Sequence, residues 1–71
     1  MTRPEKHSLT LHGHRTSVSL ESAFWTEFRR IAQSRNQTVN QLAVQIDDGR
    51  AGAGLASAIR VFVLTELKQS R

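Results

Sequence analysis

The 71 residues include no cysteine, so no disulfide framework can hold the fold. The same absence agrees with a reducing compartment, and a cytoplasmic location is expected. Proline occurs once, at Pro4, within the polar stretch MTRPEKHS. That stretch lacks the apolar segment of a signal peptide. Long hydrophobic runs are missing too. The longest, Val61-Phe62-Val63-Leu64, falls far short of the roughly 20 residues needed to cross a bilayer. No membrane partner is expected. GRAGAG, at 49–54, lacks the lysine and following Ser/Thr of a phosphate-binding loop. The serines and histidines form no nucleophile–base–orienter pattern, so no catalytic residue and no enzyme activity are expected. His7, His12 and His14 have no cysteine to assist them, and a metal centre needs three or four convergent ligands. No metal or other cofactor is expected.

What is present begins with charge. Ten Lys/Arg against six Asp/Glu give +4 at pH 7. An excess of this sign suits an anionic partner such as nucleic acid or a lipid surface. It equally suits plain solubility. A chain this short buries a marginal core, and without disulfides or metal the remaining device is oligomerisation.

Residues 1–14 read as an N-terminal arm. Leu9 and Leu11 flank Thr10 in a brief period-2 pattern before His12-Gly13-His14. That segment either pairs as a hairpin with residues 15–20 or stays disordered. The domain proper is expected over 15–71. A strand is predicted at 15–20, with Thr16, Val18 and Leu20 on one face and Arg15, Ser17 and Ser19 on the other.

A first helix is predicted over 22–35. Phe24, Phe28 and Ile31 recur at helical spacing, with Trp25 and Ala32 widening the stripe. A second is predicted over 38–48, where Thr38-x-x-Gln41 matches a capping box and Val39, Leu42, Ala43 and Ile46 share a face. Residues 55–69 are predicted as a third helix. The run IRVFVL has strand-like composition, but the element is long and is bounded by helix formers. Its broad apolar surface implies burial, expected between subunits.

A strand running directly into a helix, a short polar turn and a second helix resemble the ribbon-helix-helix superfamily, the Arc and methionine-repressor type of DNA-binding protein. The resemblance rests on RTSVSLE, SAFWTEFRRIAQSR and NQTVNQL. The added GLASAIRVFVLTEL resembles a branch with a third C-terminal helix. The implied fold is mainly α. It is a dimer in which one N-terminal strand per chain pairs antiparallel with its counterpart, followed by three helices.

The implied function is that of a homodimeric, sequence-specific transcriptional regulator of bacterial type that places a two-stranded ribbon in the major groove of double-stranded DNA. Arg15, Ser17 and Ser19 would read bases, although alternation alone also describes a solvated strand face. Thr38, Val39 and Asn40 would contact phosphate, or simply cap a helix. Val18, Leu20, Phe24, Phe28, Ile31, Leu42, Ile46, Ile59 and Phe62 would form the dimer core. Association beyond the dimer on DNA stays open. Two alternatives remain: an antitoxin that represses its own operon, and a protein-interaction module that keeps the fold without DNA binding.

Overall fold

The computed structural model describes residues 3–69. Met1 and Thr2 of the expected arm, and Ser70 and Arg71 of the expected domain, lie outside them. The chain order is β1 (Glu5–Leu11), β2 (His14–Leu20), α1 (Ser22–Ser34), α2 (Val39–Gly49) and α3 (Leu55–Gln69).

β1 and β2 form an antiparallel hairpin in which Leu11 faces His14, Leu9 faces Thr16 and His7 faces Val18. Two residues close it. His12 and Gly13 both have positive φ, 51° and 79°. That pairing matches the right-handed twist of the strands, and glycine adopts it without steric cost. The inner face buries Leu9, Leu11, Val18 and Leu20 against the helices. Thr16 shares that face but lies near the hairpin tip and stays exposed.

Glu21 alone separates β2 from α1, because its extended backbone serves as the helix N-cap and its carbonyl accepts from Trp25 N–H at 3.0 Å. α1 ends in a Schellman motif. Asn36 sits at φ 56°, Gln37 N–H donates to Ala32 C=O and Asn36 N–H to Gln33 C=O. Asparagine tolerates this left-handed position, and the two bonds satisfy carbonyls that the helix end would otherwise orphan. α2 opens one residue later in the capping box: Thr38 Oγ1 accepts from Gln41 N–H, and Gln41 Oε1 accepts from Thr38 N–H.

The core is closed by one chain. Phe28, Leu20, Leu42 and Ile59 are fully enclosed, joined by Leu9, Val18, Ile31 and Val63. Burying each such side chain contributes about 1.5–3 kcal/mol. Arg35 ties the end of α1 to α3 through a 2.6 Å ion pair with Glu66 and by lying over the Phe62 ring.

The sheet differs from the expectation of one strand per chain. The chain supplies two, and the partner of β2 is β1. The pattern around Leu9 and Leu11 is therefore the hairpin of the two options left open. The third helix forms, but Val61 and Leu64 on its outer side are 65% and 56% exposed.

Candidate nucleic-acid interface

The outer face of the hairpin carries six polar side chains in three cross-strand pairs: Lys6 beside Ser19, Ser8 beside Ser17, and Thr10 beside Arg15. All six residues are exposed. Directly opposed residues of an antiparallel pair stand about 4.5–5.5 Å apart, so these groups form one continuous polar surface. The side chains of Arg15, Ser17 and Ser19 form no hydrogen bond or ion pair with any described residue. Lys6, Ser8 and Thr10 were not among the expected site residues. Their signal was the alternation around Leu9 and Leu11, which fixes their direction once the hairpin forms.

The backbone of this sheet has two distinct edges. In an antiparallel ladder, alternate residues turn their backbone groups away from the partner strand. Thr10 does so on β1, where its N–H donates to Asn40 Oδ1 at 3.0 Å. Ser19 does so on β2, where its carbonyl accepts from Arg60 Nη2 at 3.3 Å. The register places Arg15 and Ser17 in the same outward-facing set. No hydrogen bond from another described residue reaches their backbone. Each edge is therefore tied at one residue, β1 to α2 at Thr10 and β2 to α3 at Ser19, and open at two among the described residues, Lys6 and Ser8 on β1 and Arg15 and Ser17 on β2.

Arg60 fixes β2 to the helices. Its Nε donates to Glu21 Oε1 at 3.0 Å, and its guanidinium lies 5.9 Å from the Phe24 ring centre. The donated hydrogen bond holds the Glu21 carboxyl below its usual range.

At the start of α2 the three expected phosphate contacts fare differently. Thr38 is exposed, with its hydroxyl used by the cap. Val39 is half-buried against the core. Asn40 spends its side-chain oxygen on β1, so its first role is to hold the α2 terminus against the sheet. On α1, Arg30 pairs with Glu27 at 2.8 Å, an exposed contact worth a few tenths of a kcal/mol.

Of the expected dimer-core residues, Val18, Leu20, Phe28, Ile31, Leu42 and Ile59 are buried within the single chain, and Phe24, Ile46 and Phe62 pack partly against them. Ile46 and Phe62 also line an open apolar groove of about 470 Å³ between α2 and α3, with Leu42, Ala53, Ala58 and Val61.

The hairpin tip reaches the other end of α2. His12 Nε2 lies 2.8 Å from Asp48 Oδ1, and that carboxylate raises the His12 pKa. Asp47 adds a third potential ligand atom within 4.8 Å of the other two. Arg50 already neutralises Asp47 at 2.6 Å. The group works as a charge network joining turn to helix. His7, by contrast, stacks on Trp25 with ring centres 3.9 Å apart.

Among the described residues no helix is long and apolar enough to cross a membrane. No match is found among curated proteins, and none among solved structures. The family model of the ribbon-helix-helix domain matches residues 4–67, from the start of the hairpin to the last turns of α3, and the chain belongs to that family.

Proposed function

We propose that this protein is a homodimeric, sequence-specific DNA-binding regulator of transcription. Family membership supports the class, because ribbon-helix-helix domains are DNA-binding modules of regulators and antitoxins, generally without catalysis. The observation that carries the reading is the wholly polar outer face of the sheet, whose β2 runs directly into α1 and leaves the outward backbone groups of Arg15 and Ser17 open along its edge. Two copies joined antiparallel along that edge satisfy the outward backbone groups of Arg15 and Ser17. The pairing makes a four-stranded sheet, β1-β2-β2-β1, with Arg15, Ser17 and Ser19 of both copies on its two central strands. Two adjacent strands fit the major groove, where arginine forms a bidentate contact to guanine and serine donates or accepts. The α2 terminus, held beside β1 by Asn40, positions the backbone.

The net charge of +4 favours this partner, and a cytoplasmic location goes with it. Repression is the simplest outcome of occupying an operator. Selection of sites from a random DNA pool tests the reading. A recurring pseudo-palindromic or tandem motif is expected, and a pool that stays unenriched refutes it.

A second reading has its own observation. Val61 and Leu64 stand exposed on α3 beside the apolar groove. That surface suits a protein contact, either a toxin-like partner or a module acting through proteins alone. Protein that binds DNA only weakly and without sequence preference at physiological salt would favour it.

A further inference from the structure

The strand absent from the expected fold, β1, has a position set by simple dimensions. Its outer face carries Lys6, Ser8 and Thr10 level with Ser19, Ser17 and Arg15. Resting on the dimeric DNA-binding reading, the geometry points to β1 as the phosphate-contacting flank of the sheet, with Lys6 as its charged contact.

Four strands at roughly 4.8 Å spacing span about 14 Å between the outermost axes. The major groove is about 12 Å wide. The two β2 strands therefore enter the groove, while the β1 strands stand over its rims, where the phosphates lie. Pairing centred on Ser17 sets Arg15 of one copy level with Ser19 of the other, whose carbonyl then accepts from Arg15 N–H as well as from Arg60 Nη2, and the next position outward in that row is the second copy's Lys6. Each rim then receives one lysine by the two-fold symmetry. Ser8 and Thr10 can offer a hydroxyl there but no charge, so Lys6 alone of the three adds to the salt dependence.

Lys6 is exposed, and its ammonium makes no ion pair with a described residue. Asn40, whose oxygen accepts from Thr10 N–H, keeps its amide donors for a phosphate beside β1, but it is uncharged, so Lys6 is the cation of that flank. A lysine on phosphate carries no direct base information, so Lys6 sets affinity and leaves preference to Arg15.

The test titrates the full chain and its Lys6→Ala and Lys6→Arg variants against a selected duplex and a scrambled duplex, across a range of NaCl concentrations. Lys6→Ala should weaken both duplexes by the same factor. Its plot of log K against log salt should be shallower by about 2, for two lysines at about 0.9 each. Lys6→Arg should restore the slope. Circular dichroism of Lys6→Ala should match the parent, because the side chain is exposed. An unchanged slope overturns the proposal, and so does altered preference among single-base variants, which would make Lys6 a base reader. If the parent protein itself binds neither duplex, the DNA-binding reading fails first, and that outcome is visible before any variant is made.

Discussion

Leu9→Ala separates a packed strand from a loose arm. Leu9 is 2% exposed, enclosed by the inner face of the sheet and the helices. Removing its side-chain carbons loses the transfer free energy and leaves a cavity, together about 2–5 kcal/mol for a buried leucine. A chain of 71 residues has a total stability of about 4–10 kcal/mol at the usual per-residue range. The variant should therefore lose around half of its stability. Urea unfolding followed by circular dichroism measures this as a fall in midpoint at constant slope, since the slope follows the surface exposed on unfolding. Lys6→Ala, on the opposite face of the same strand, serves as control and should stay within about 0.5 kcal/mol. If Leu9→Ala moves the midpoint no more than the control does, β1 is not docked, and the reasoning that gives it a place in the core and on DNA is wrong.

The site itself sets three further outcomes. Arg15→Ala should relax preference at one base position in each half-site, costing about 1–3 kcal/mol of discrimination there; uniform weakening of all sequences would show that Arg15 does not read bases. Asn40→Ala frees the Thr10 N–H and should lower stability by about 0.5–1.5 kcal/mol, measured by thermal or urea melts, while leaving base preference intact; selective loss at one base would contradict its assignment to positioning. The Glu21–Arg60 pair sets a pH dependence. Because the folded state holds the Glu21 carboxyl below its ordinary value of 4.5, the pair's contribution is complete above that value and is lost as pH falls through the lowered one. Urea midpoints of the parent should drop more across that window than those of Glu21→Gln, and equal drops would show that the pair adds nothing.

Much of this fold is legible in local chemistry. Phe24, Phe28 and Ile31 mark one helix face by spacing alone, and Thr38 with Gln41 announces the start of α2 because two side chains and two backbone donors must meet there. The face of Arg15, Ser17 and Ser19 is fixed by the two-residue period of a strand. Legibility fails where the determinant is a partner. Leu9 and Leu11 give only two apolar beats, too few to separate a strand from an arm until His12 and Gly13 take positive φ and bring β1 onto β2. Asn40 reads as a free polar group at a helix terminus, and only the fold reveals that a strand edge claims its oxygen, 30 residues away in sequence. The broad apolar surface of α3 carries no mark of which side faces inward. The chain chooses Ile59 and Val63, leaving Val61 and Leu64 outside.

The contact between His7 and Trp25 has an optical consequence. Trp25 is the sole tryptophan of the chain, and one face of its indole is covered by a ring that belongs to β1. Indole emission moves to longer wavelength as water replaces an apolar or stacked neighbour. The protein thus carries an intrinsic fluorophore at the junction between hairpin and helices, whose colour reports strand docking without any label. Emission that reddens before helical dichroism is lost would reveal the hairpin leaving first.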